Sequence, residues 1–125
     1  MLIVYDSLTG NVERFIKKLG DVRSIKIEDG LIVDEKFILI TYTIGFGEVP
    51  PTVEDFLWDN HKNLIGVAAS GNKIWGDNFT KSSEIISEEW NVPIIHRFEL
   101  SGTKRDVEYF LQEAKRIDEQ YSRMD

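Results

Sequence analysis

The sequence predicts an α/β fold, a three-layer sandwich in which a five-stranded parallel sheet of order 2-1-3-4-5 carries helices on both faces. Three observations predict it. Five short β-rich runs alternate with four amphipathic runs along residues 1–125, the pattern of parallel strands joined by right-handed crossovers. The strongest runs have no polar face, as strands covered on both sides require. Every glycine-rich or aromatic loop follows the first, third or fourth strand, on the sheet edge where such folds bind ligands.

Leu2 to Tyr5 is a short apolar run ended by Asp6-Ser7-Leu8-Thr9-Gly10, a buried strand entering a tight loop. Val12, Phe15, Ile16 and Leu19 then fall at helical spacing, with Gly20 as the stop. Val22 to Ile27 alternates only loosely and reads as an edge strand, turned by Glu28-Asp29-Gly30. Phe37 to Tyr42 is the strongest strand and belongs in the middle of the sheet. A loop from Gly45 to Pro51 leads to a shorter helix with Val53, Phe56 and Leu57 on its face, ending near Asn60. Leu64 to Ser70 is a buried strand and Gly71 to Asn78 a second long loop. Phe79, Ser83, Ile86 and Trp90 mark a third helix face, which places Trp90 in the core. Val92 to Leu100 is the fifth strand, and Val107, Phe110, Leu111, Ala114, Ile117 and Tyr121 line the last helix.

The composition supports a single domain over 1–125, with 42% hydrophobic and 30% charged residues. No apolar run approaches the roughly 18 residues of a membrane span. A net charge of −7, from 15 Lys and Arg against 22 Asp and Glu, disfavours nucleic acid as a partner, since phosphate neutralisation needs clustered cations. A soluble cytoplasmic protein with no membrane partner is expected. The absence of cysteine removes disulfides, thiolate metal sites, dithiol redox pairs and cysteine nucleophiles, so any redox chemistry must be carried by a bound cofactor. His61 and His96 have no metal-ligand spacing and no partner nucleophile; no metal site is expected, and both read as structural or surface residues.

Three loops carry the candidate chemistry. Ser7, Leu8, Thr9, Gly10 and Asn11 lie between a buried strand and a helix start, where free N–H groups and the helix dipole favour an anion such as phosphate. The same pattern fits a simple cap by Thr9 or Asn11. Gly45 and Gly47 around Phe46 permit unusual dihedrals or close approach to a flat ligand, or serve only a tight loop. With Pro50 in place of the last glycine, the dinucleotide fingerprint is rejected. Trp75, between glycines in a polar loop, offers a stacking face for a planar cofactor, whereas Trp58 and Trp90 sit in helices. Nearby charge is acidic, with Asp6, Glu48, Asp77 and Glu99 against Lys73, so a phosphate here is expected to rely on neutral donors without an arginine clamp. The acids are either solvated surface charge or a field that disfavours an anionic reduced ligand.

Asp6-Ser7-Leu8-Thr9-Gly10-Asn11-Val12 with Arg14-Phe15, Thr41 to Pro50, Ala69-Ser70-Gly71-Asn72 with Trp75 to Phe79, and Phe98 to Thr103 closely resemble the NrdI family. These are small flavodoxin-like proteins that work with class Ib ribonucleotide reductase. The resemblance covers nearly the whole chain and implies noncovalent FMN. It assigns the phosphate to Ser7, Thr9, Gly10 and Asn11 with the Leu8 N–H. It sets Thr43, Ile44, Gly45, Phe46 and Gly47 on one side of the flavin, and Ser70, Gly71, Asn72, Trp75, Gly76 and Asp77 on the other. The Gly45-Phe46 peptide is the implied acceptor at flavin N5. The implied function is to react with O₂ and supply superoxide for assembly of the dimanganese-tyrosyl radical cofactor of the reductase small subunit, with a separate electron-donating reductase as second partner. Relative to ordinary flavodoxins, Asn11 replaces a common Thr, the loops are short and no tyrosine follows the third loop's glycines, which should leave the flavin edge open. The alternative is a general flavodoxin-like one-electron carrier. A receiver-type signalling module is rejected, because Asp6 has no acidic neighbour, Thr41-Tyr42 ends the third strand and Glu99-Leu100 ends the fifth.

Overall fold

The computed structural model describes residues 1–124. Strands β1 (Leu2–Tyr5), β2 (Arg23–Lys26), β3 (Phe37–Tyr42), β4 (Leu64–Gly71) and β5 (Ile94–Glu99) form one parallel sheet in the order β2-β1-β3-β4-β5. Helices α1 (Asn11–Lys18), α2 (Pro51–Asn60), α3 (Lys81–Trp90) and α4 (Lys104–Met124) connect them. The expected fold is present in every strong element.

The two-residue period of the strands sorts their side chains between two cores. Ile3, Ile38, Ile40 and Ala68 meet Phe15 of α1 and Phe110, Ala114 and Ile117 of α4. Leu2, Val4, Leu39 and Val67 meet Val53, Phe56 and Leu57 of α2 and Ile86 of α3 on the other face. Because β1, β3 and β4 are buried on both faces, their runs are continuously apolar, and the sheet order places their carboxyl ends side by side.

Several boundaries differ from the sequence expectation. β2 is a mostly exposed edge strand, shorter than Val22 to Ile27. β5 begins two residues later than expected, since Pro93 has no N–H to donate and contributes only its carbonyl, to Val67 N at 3.1 Å. It ends before Leu100, which turns away at φ 52°. The loop after β4 is organised as 3₁₀ turns over Lys73–Asn78, kinked at Gly76, and Phe79 precedes α3 instead of joining its face. Trp90 is half-buried at the rim of its core, stacked on His61 at 4.2 Å, and Trp58 is 74% exposed. Buried Asn60 has a role the hydrophobic pattern does not reveal. Its side chain accepts from Val33 N at 2.7 Å and donates to the Leu31 and Phe56 carbonyls, tying the chain before β3 to the end of α2.

The start of α4 is held by a reciprocal cap. Asp106 N donates to Thr103 Oγ1 at 3.2 Å, Thr103 N donates to Asp106 Oδ2 at 2.7 Å, and His96 Nε2 of β5 lies 2.7 Å from Asp106 Oδ1. Burial acts to raise the Asp106 pKa, but the Thr103 N–H, His96 and the Thr103 hydroxyl outweigh it and hold the carboxyl below its usual value. A depressed folded pKa gives stability that is complete above the unfolded carboxylate value of about 3.9 and is lost as pH falls through the folded value. Asp106→Ala is therefore expected to cost about 1 kcal/mol at pH 7 in urea unfolding and to flatten the stability profile below about pH 4. An unchanged acid limb would remove Asp106 as its source.

Candidate functional site

At the carboxyl edge, the ends of β1, β3 and β4 and the turn after β5 enclose a cavity of about 370 Å³. It is lined by residues of all three candidate loops: Ser7, Leu8, Thr9 and Asn11 from the first, Thr43, Ile44 and Gly45 from the second, Ser70, Gly71, Asn72 and Trp75 from the third. Gly10, Phe46, Gly47, Gly76 and Asp77 lie outside the lining. Gly10 and Gly47 shape their turns at φ 87° and 104°, Phe46 meets Trp75 edge to face at 5.8 Å, and Gly76 and Asp77 line a wider, shallower groove alongside. Val12, Tyr42, Asn78, Thr80 and Leu100 complete the wall and were not anticipated as site residues.

The first loop presents a run of free backbone donors. Neither Thr9 nor Asn11 caps α1: the N-cap is Gly10, with no side-chain cap bond. Ser7 N donates to Asp6 Oδ1, Glu13 N to Ser7 Oγ and Arg14 N to Gly10 O. Between them the N–H groups of Leu8, Thr9, Gly10, Asn11 and Val12 donate to no protein acceptor among the described residues. Consecutive unmet donors at a helix start are what a phosphate satisfies.

The second loop is a closed turn. Ile44 N donates to Glu48 O at 3.0 Å, while Glu48 N and Gly47 N both donate to Ile44 O. Gly45, at φ 51°, and Phe46 span it, and neither the Gly45 carbonyl nor the Phe46 N–H takes part in its bonding. A Cβ on Gly45 would meet Glu48 Oε1 at 3.1 Å. The wall behind is braced by Thr43 Oγ1 and Ser82 Oγ, 2.7 Å apart.

The third loop is fixed from below. A Cβ on Gly71 would lie 2.9 Å from Thr80 N, so glycine here lets the chain before α3 pack directly on β4. Thr80 and Leu100, both non-glycine residues at positive φ, sit in the wall. The Thr80 carbonyl accepts both Ser83 N and Ser83 Oγ, and Leu100 is held by its N–H to Gly71 O and its carbonyl to Ser70 Oγ. These bonds offset the backbone strain and make the wall rigid. Such strain leaves no trace in residue type, because threonine and leucine are poor markers of a left-handed conformation.

Charge around the site differs from the sequence expectation in two respects. Arg14 and Lys18, on the outward face of α1, reach over the first loop and the turn after β5. Their spacing from Asn11, three and seven residues, puts all three on one helix face, but nothing in that spacing shows the contact with the turn after β5. Asp6 is not solvated surface charge, since it is 8% exposed and accepts from Ser7 N and the Thr52 hydroxyl. Glu99 accepts Lys73 N at 3.1 Å. Burial, joined by the charge of Asp6, pushes the Tyr42 phenol above its usual pKa against the opposing bond from Thr52, which favours its protonated form. His61 and His96 both lie outside the cavity lining.

A family model described as NrdI Flavodoxin like matches residues 3–112. Protein NrdI of Bacillus licheniformis is 56% identical over 115 residues, covering 92% of this chain and 88% of its own. Among solved structures, the Streptococcus pneumonia TIGR4 flavodoxin superposes with a TM-score of 0.69 at 27% identity, covering 95% of this chain and 97% of its own. A Fusobacterium nucleatum flavodoxin bound to flavin mononucleotide superposes at 0.65 with 15% identity, covering 95% and 96%.

Proposed function

The chain belongs to the NrdI flavodoxin-like family, and from that premise we propose that it binds FMN noncovalently and supplies superoxide to the class Ib ribonucleotide reductase small subunit, for assembly of its dimanganese-tyrosyl radical cofactor. The observation that carries the flavin reading is the convergence of an anion cradle, a glycine turn and an aromatic rim on one cavity. Ser7, Thr9 and Asn11, with the free N–H groups of Leu8 to Val12, would hold the phosphate. Thr43 to Gly47 and Ser70 to Asp77 would flank the ring, Trp75 offering its face and the uncommitted Gly45 carbonyl an acceptor at flavin N5.

FMN held there would pass electrons to O₂, and an electron-donating reductase would replenish them. The chain's own residues contribute binding, orientation and access. Leu8, Phe46, Ile74, Trp75 and Leu100 are exposed around the mouth, an apolar rim suited to a docking protein. The second and third loops are tight turns closed by bonds to the Ile44 and Gly76 carbonyls, which supports access by O₂.

The test begins with absorption. Purified protein is expected to keep a flavin spectrum through desalting, and protein that is colourless and cannot be loaded with FMN sinks the proposal. Reduced, loaded protein is then expected to consume O₂ faster than a flavodoxin and to bind the reductase small subunit; failure of both leaves a general one-electron carrier.

A further inference from the structure

Arg14 makes two charge-assisted contacts that converge beside the first loop. Its Nε donates to Ser101 Oγ at 3.0 Å and its Nη2 to Asn11 Oδ1 at 2.7 Å. Ser101 Oγ, already accepting from Arg14, donates to the same Asn11 oxygen at 2.9 Å. Lys18 Nζ holds the adjoining carbonyls of Ser101 and Gly102 at 3.1 and 2.8 Å. Nη1 lies over Gly10, where a Cβ would come within 2.8 Å of it.

The chemistry of these groups orients the whole chain of bonds. A guanidinium only donates, so the Asn11 atom facing it must be the carbonyl oxygen, and the amide nitrogen must point the other way. That nitrogen donates to Thr9 Oγ1 at 3.2 Å. With its oxygen accepting from Asn11, the Thr9 hydroxyl has its hydrogen left to donate elsewhere. Thr9 and Asn11 line the cavity, whereas Arg14 does not.

We propose that Arg14 is a positioning residue for the flavin phosphate, acting through a donor relay from guanidinium to Asn11 amide to Thr9 hydroxyl, and so sets a preference for FMN over riboflavin. The proposal rests on the flavin reading above. Each donor in the relay polarises the next, and the last one, the Thr9 hydroxyl, lines the cavity, so the positive charge would be felt at a bound phosphate without direct contact. The Asn11 amide makes both links at once, its oxygen accepting from Arg14 and its nitrogen donating to Thr9.

The test titrates FMN and riboflavin, by flavin fluorescence, into the native chain, Arg14→Gln, Asn11→Ala and the double variant. Arg14 is exposed and Asn11 half-buried, so the fold is expected to persist, and thermal unfolding of each variant checks it. Arg14→Gln is expected to weaken FMN about fivefold to tenfold and to leave riboflavin unchanged. The double variant is expected to lose no more FMN affinity than Asn11→Ala alone, because one relay is cut twice. Equal losses for both flavins, or additive losses for FMN, would overturn the relay while leaving the flavin reading intact. A native chain that binds neither flavin would overturn both.

Discussion

Replacing Phe15 by alanine is expected to lower the unfolding free energy by about 3–5 kcal/mol, read from urea unfolding at neutral pH. The ring is fully buried, stacks on Phe98 with centroids 4.0 Å apart at 13°, and meets Phe110 edge to face at 5.7 Å. Removing it takes one member from a three-ring cluster that joins α1, β5 and α4. The interior there is close-packed, since a Cβ on Gly102 would fall 2.7 Å from Phe15 Cδ1. The turn carrying Ser101 and Gly102 rests on this ring, so the same substitution should loosen the network around Arg14 and weaken FMN binding as well. A loss below about 1 kcal/mol would mean that Phe98 and Phe110 close over the gap.

Phe15 also illustrates what the sequence discloses. Its spacing from Val12 and Leu19 predicts the buried face of α1, and continuous apolar runs predict that β3 and β4 are central, because hydrophobic periodicity is a local record of burial. The three loops were legible for a similar reason: glycines, small hydroxyls and a tryptophan are conspicuous after buried strands. Contacts between distant segments were not legible. The placement of Leu100 in the wall depends on a bond to Gly71, and the clamp on Ser101 depends on side chains from α1, separated in sequence by 83 residues and more. Nothing local to Arg14 shows that it meets Ser101, which lies 87 residues away in the turn after β5. Thr80 was hidden differently, because its positive φ is imposed by Ser83 and by packing on Gly71 rather than by its own preference. The acids divided by geometry too: Asp6 and Glu48 look alike in the sequence, yet one is buried and bonded while the other is exposed.

Trp75→Ala is expected to weaken FMN and riboflavin alike by about 5-fold to 150-fold, the equivalent of roughly 1–3 kcal/mol for one aromatic stacking contact. Trp75 is 47% exposed although it lines the cavity, so part of the indole is left uncovered by the protein. Its ring contact among the described residues is the perpendicular one to Phe46, and no aromatic ring is stacked parallel on it there. The 3₁₀ turns position it: Trp75 N donates to Asn72 O, and Asn72 Oδ1 accepts from Ile74 N. Loss of the indole should cost less stability than Phe15→Ala, since about half of its surface is already exposed. Equal effect on both flavins is the distinguishing outcome, because stacking involves the ring they share, whereas the Arg14 relay involves only the phosphate. If Trp75→Ala binds FMN as tightly as the native chain, the stacking face belongs to Phe46, which is 74% exposed beside Trp75, and Phe46→Ala should then show the loss.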